Sequence, residues 1–94
     1  MDTASATKVI ETSLERLKPL EAWNHASVEN ILRPLATELG LTTGKFFGLL
    51  RVAITGRTAS PPLFQTMAAL GKERCLKRLN NALQKIKEQN ENSD

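Results

Sequence analysis

An all-α fold, one compact domain of about five short helices, is what this sequence predicts, on three observations. Apolar residues recur at three- and four-residue spacing along nearly the whole chain, which is the period of one helix face. No apolar–polar alternation persists long enough to make a strand. Glycines and prolines punctuate the pattern at intervals that suit short helices.

The first helix is expected from about Thr7 to Lys18. Ile10, Leu14 and Leu17 share one face, and Pro19 stops the run because the residue before a proline is pushed out of the helical region. Trp23 begins the core. Asn24 is a good N-cap for a second helix that buries Val28, Ile31, Leu32, Leu35 and Leu39 and ends at Gly40. Pro34 lies inside it, so a kink or break is expected near Asn30 and Ile31, where the ring removes a hydrogen bond and crowds the preceding turn. Thr43 and Gly44 open a third helix, which carries Phe46, Phe47, Leu50 and Ile54 inward and closes at Gly56. Ser60 is a strong N-cap for a fourth, with Pro61 in its first position. Its stripe is Leu63 or Phe64, Met67 and Leu70, and Gly71 ends it. A fifth helix from about Lys72 to Glu88 turns Cys75 or Leu76, Leu79, Leu83 and Ile86 toward the core. Residues 1–87 make the domain, and the polar tail 88–94 is expected to be disordered.

Ninety-four residues supply one hydrophobic core but little room for a catalytic domain with a nucleotide site and a lid. A formal net charge of +3 does not by itself imply a nucleic-acid partner. Its distribution says more: no carboxylate occurs between Glu38 and Glu73, an interval that holds Lys45, Arg51, Arg57 and Lys72. With one cysteine and one histidine there is no intramolecular disulfide and no plausible zinc set. A monomer in a reducing cytoplasm is expected, without a membrane span or a secretory leader.

Catalysis is poorly provided for. His25 falls in the first turn of the second helix, where an exposed or capping role is expected, and Cys75 falls in an apolar stripe as a small buried thiol. No Gly-rich phosphate loop is present. The cations of the fifth helix, Lys72, Arg74, Lys77, Arg78, Lys85 and Lys87, spread around its polar side and read mainly as a solvated face, Lys72 and Arg74 being the two to watch. The sharper feature is the turn between helices three and four. A helix start exposes unpaired N–H groups with partial positive charge; Arg51 lies about one turn before the preceding helix ends, and Leu63 adds an apolar surface. The combination describes a notch for an anion or an unstacked base.

The order Trp23, an amphipathic helix, Gly44-Lys45, Leu50-Arg51-Val52-Ala53-Ile54-Thr55-Gly56, Ser60-Pro61-Pro62-Leu63-Phe64, Leu70-Gly71-Lys72-Glu73-Arg74 and Arg78-Leu79 resembles the C-terminal anticodon-binding domain of bacterial-type glutamyl-tRNA synthetases. The resemblance runs from about Val9 to Leu83. It implies a class I aminoacyl-tRNA synthetase that activates glutamate with ATP and magnesium in another domain, since both of the family's ATP signatures are missing here. This sequence is then the distal helical piece of such an enzyme, or a separate chain, with no catalytic residue and no cofactor of its own.

Carried over by position, the resemblance puts Arg51 where the family has an arginine that reaches an anticodon base. It puts Ser60, Pro61 and Leu63 where the helix-start loop reads the first anticodon base. Lys45, Arg57 and Lys72 are expected on the sugar-phosphate of the tRNA anticodon stem-loop, giving affinity with little sequence information. Two rivals stand beside this reading. A stand-alone helical protein-interaction module predicts an exposed apolar patch and salt-insensitive binding. A helix-turn-helix DNA binder ranks last, because Pro61 to Ala69 offers only Gln65 and Thr66 as polar base contacts.

Overall fold

The first helix begins earlier than the apolar stripe alone indicates, because alanines extend it. The computed structural model describes residues 3–56 and 62–92, with side chains as far as residue 88, and in it α1 runs Thr3–Leu17. Ala6 falls one turn before Ile10 and is buried with Val9, Ile10, Leu14 and Leu17; alanine gives up no side-chain entropy in joining a helix. The other elements are α2 His25–Glu38, α3 Thr43–Thr55, α4 Leu63–Leu70 and α5 Lys72–Asn92. Among the described residues there is no strand, and no helix is long and apolar enough to cross a membrane.

Local chemistry accounts for most of the boundaries. Asn24 caps α2 by accepting from the Ser27 N–H at 2.9 Å. The end of α2 is a Schellman motif: the N–H of Leu41 reaches the carbonyl of Ala36 and that of Gly40 the carbonyl of Thr37, with Gly40 at φ +71°. α3 opens at Thr43 with Thr42 as its cap, accepting from the Lys45 N–H at 3.2 Å, and Gly56 ends it in the left-handed region. α2 is continuous across Pro34, without a break there. Both Pro34 and Asn30, whose carbonyl loses its donor, are exposed, so water replaces the missing hydrogen bond at little cost. α5 continues to Asn92, past the end at Glu88 that the polar composition suggests.

The helices close on one core. Val28, Leu32, Leu35 and Ala36 of α2 meet the stripe of α1, and Phe46, Leu50 and Ile54 of α3, Leu63 and Met67 of α4, and Cys75, Leu79 and Leu83 of α5 complete it. Each such side chain contributes on the order of 1.5–3 kcal/mol by leaving water. Donors from distant residues reach carbonyls in the last turns of helices or just beyond them. The Trp23 indole N–H donates to the Met67 carbonyl at 2.9 Å, and the Arg78 guanidinium donates to the Ile54 carbonyl at 2.6 Å. The Lys72 ammonium donates to the Lys18 and Leu20 carbonyls at 2.7 and 2.8 Å. A cation at a helix C-terminus also meets the negative end of its dipole.

Candidate functional site

Phe47 and Arg51 stand four residues apart and so share one face of α3. The contacts of Phe47 settle where that face points. Its ring packs edge-on against Phe64 in the first turn of α4, with centroids 5.2 Å apart. The Arg33 guanidinium of α2 lies 5.8 Å from both ring centroids, within cation–π range. Glu29 holds that guanidinium at 2.7 Å. The start of α4 therefore lies against α3 at the level of Phe47, one turn from Arg51.

Pro62 occupies the N-cap position of α4, and among the described residues no side chain caps the first turn. The helix begins at Leu63, two residues later than a Ser60 cap would set it. The first intrahelical bond comes from the Thr66 N–H to the Pro62 carbonyl at 3.0 Å. The amides of Leu63, Phe64 and Gln65 precede it and point out of the helix end. Two half-buried phenyl rings and the positive end of a helix dipole meet here, with the half-buried Arg51 one turn along α3. Such a surface suits a flat, electron-rich group with hydrogen-bond acceptors on its edge, which an unstacked nucleobase is.

The residues expected to form the site fare differently. Arg51 sits in the penultimate turn of α3 with its carbonyl accepting from the Thr55 hydroxyl at 2.6 Å. Ser60, Pro61 and Arg57 lie outside the described residues. Leu63 is expected to add an apolar surface at the notch, but it is turned into the core and 3% exposed, because it shares a helix face with Met67. Phe64 and Phe47 supply that surface in its place. Lys45 is exposed in the first turn of α3, six residues from Arg51 and about 120° around the axis from it. Lys72 lies at the junction of α4 and α5, two of its three ammonium donors engaged by the end of α1. Sequence reasoning missed Arg33, since nothing local to α2 signals that its guanidinium meets rings from α3 and α4.

Burial pushes the Cys75 thiol up from 9.0 to about 11, with the Arg78 guanidinium pulling the other way, and its S–H donates to the Met67 carbonyl at 3.3 Å. Among the described residues no group of His, Cys, Asp and Glu side chains is placed to hold a metal ion.

Comparison with known proteins gives the family of the chain. A family model described as anticodon binding domain matches residues 1–83. The chain is 52% identical over 82 residues to a glutamate–tRNA ligase of Roseiflexus sp. (strain RS-1), an overlap of 87% of this chain and 16% of that protein. It is 46% identical over 79 residues to the glutamate–tRNA ligase of Dehalococcoides mccartyi, covering 84% of this chain and 16% of the relative. With that of Mycobacteroides abscessus the identity is 47% over 75 residues, covering 79% and 15%. The chain thus spans about one-sixth of the length of the curated relatives it matches.

Proposed function

Because the chain belongs to the anticodon-binding domain family, we propose that it is the part of a glutamate–tRNA ligase that grips the anticodon loop of tRNA. The observation that carries the proposal is the edge-on meeting of Phe47 and Phe64 where α4 begins, with Arg51 one turn along α3 from Phe47. Unstacked loop bases present π faces to the rings and guanidinium and hydrogen-bonding edges to the amides. In this reading Arg51 contacts a base, Ser60 and Pro61 shape the loop through main-chain groups, and Leu63 fixes the helix start from below. Lys45 and Arg57 hold sugar-phosphate. ATP, magnesium and the chemistry of charging belong to the remainder of the longer enzyme, which acts in the cytoplasm; this domain selects the tRNA.

The rival of a protein-interaction module calls for an apolar face. Among the described residues Val52, 43% exposed, is the large hydrophobic left in water, and one side chain does not make a docking face. The test is titration of this chain with a hairpin RNA that carries the glutamate anticodon, against the same stem with a scrambled loop. Arg51→Ala is expected to cost about 1–3 kcal/mol on the first hairpin and far less on the second. Equal losses on both hairpins, or none on either, would remove Arg51 from base reading.

A further inference from the structure

Charge divides this molecule more sharply than its net value of +3 suggests. Residues 1–38 hold four Lys and Arg against six Asp and Glu; residues 39–87 hold nine against one, Glu73. In the first interval two of the four cations are paired: Glu29 with Arg33 at 2.7 Å and Glu38 with Arg16 at 3.4 Å. Among the described residues no carboxylate pairs with Arg74, Lys77 or Lys85, all of them exposed, and Glu73 makes no ion pair with Lys77 although it lies one turn before it. An ordinary solvated helix face alternates its charges. This one keeps like charges at three- and four-residue spacing, where they repel one another.

The structure also gives the stripe a form. Arg74, Lys77, Arg78 and Asn81 line one shallow groove on α5, and Lys85 continues the same face one turn on, for a length of about 16 Å at 1.5 Å per residue. Arg78 anchors the groove to the fold: one of its nitrogens holds the Ile54 carbonyl at 2.6 Å, two residues before Gly56, at the end of α3 from which the chain turns toward α4. The guanidinium is thereby oriented on a residue that stays exposed.

We propose that this α5 stripe is a docking strip for the sugar-phosphate backbone of the anticodon stem, separate from the notch that meets the bases. The inference rests on the tRNA-binding reading above and deepens it. A row of cations without carboxylates complements a polyanion of regular charge spacing, and Asn81 supplies a neutral donor and acceptor for ribose hydroxyls. The strip replaces Lys72, whose ammonium is engaged at the end of α1, as a source of phosphate contacts. Contacts of this kind add affinity regardless of base sequence and release counterions when they form.

The experiment measures the affinity of this chain for the two hairpins, glutamate anticodon and scrambled loop, from about 50 to 200 mM salt. Four proteins are compared: wild type, the exposed double variant Arg74→Gln/Lys77→Gln, the single variant Lys85→Gln, and a charge-matched control on α1 and just beyond its end, Lys8→Gln/Lys18→Gln. Circular dichroism establishes that each is folded. The strip predicts that the slope of log affinity against log salt becomes shallower by about 1.4–1.8 in the double variant and by about 0.7–0.9 in Lys85→Gln. The change is equal for both hairpins, and the control keeps the wild-type slope.

An unchanged slope in the double variant, with the loop preference intact, overturns the strip and leaves the base-reading notch standing. The reverse pattern, a slope change without any loop preference in wild type, upholds the strip and overturns the notch. No binding of either hairpin overturns both. Concentration-dependent self-association of wild type, abolished in the double variant, would assign the strip to the acidic face of a second copy and overturn its assignment to RNA.

Discussion

Cys75 shows how burial decides what a residue can do. Its thiol is fully enclosed and donates to the Met67 carbonyl, so a reactive nucleophile is converted into a packing atom. The raised pKa gives the fold a pH dependence whose sign follows directly. Below pH 9.0 the thiol is protonated in both the folded and unfolded chain, and its contribution is fully present. Between 9.0 and about 11 the unfolded chain loses the proton while the folded chain keeps it, so ionisation favours unfolding. From this group alone stability is expected to fall by about 2–3 kcal/mol on passing from pH 8 to pH 11. Urea unfolding at both pH values, in wild type and in Cys75→Ala, isolates it: the alanine variant starts lower because of its cavity and lacks this part of the alkaline loss. An alkaline loss of equal size in the two proteins would show that the thiol is not its source. The identity of the buried thiol was legible from its place in an apolar stripe, although Leu76 competed for the position; a neighbour at 100° around the helix is resolved only by the packing of α4 against α5.

At the scale of elements, the boundaries that one residue's chemistry sets were legible and those set by distant packing were not. Asn24, Gly40, Gly56 and Gly71 end or begin helices where the sequence implies, because capping and positive φ are local requirements. The start of α4 is set instead by where Phe64 meets Phe47 and Arg33, contacts between three helices that no local pattern encodes. The same limit explains Leu63: the sequence left Leu63 and Phe64 as alternatives for the buried stripe, and the packing of α4 puts Leu63 in the core. Glycines in α3 give this scale its prediction, since the same substitution has opposite signs at two positions. Gly48 lies inside the helix with open space where a Cβ would stand, so Gly48→Ala is expected to stabilise by about 0.5–1 kcal/mol through a less flexible unfolded chain. Gly56 has equal room but φ +75°, and Gly56→Ala is expected to cost about 1 kcal/mol. Thermal unfolding of the pair decides it; a shared sign would mean that space, not backbone conformation, governs both sites.

Over the whole molecule the two surfaces proposed for RNA are held together by contacts between residues far apart in the chain. Trp23 joins the segment before α2 to the end of α4, Lys72 joins α5 to the end of α1, and Arg78 joins α5 to the end of α3. The fold class was readable from periodicity because every helix shows one apolar face to a common core. These clasps were not readable, because a lysine that closes a carbonyl cage looks the same in sequence as one that waits for phosphate. Lys72 therefore separates the architecture from the ligand. If its ammonium serves the end of α1, Lys72→Met leaves the Lys18 and Leu20 carbonyls without their charged donor and lowers stability by about 1–2 kcal/mol, a half-buried charged hydrogen bond being partly replaced by water. The salt slope of hairpin binding then stays at the wild-type value. Loss of a phosphate contact would instead make that slope shallower by about 0.7–0.9 and leave the unfolding midpoint unmoved. Trp23 fluorescence follows the unfolding at the same clasped end of the molecule, and its coincidence with circular dichroism checks that the end unfolds with the core. A shallower slope with unaltered stability is the result that would return Lys72 to the RNA surface.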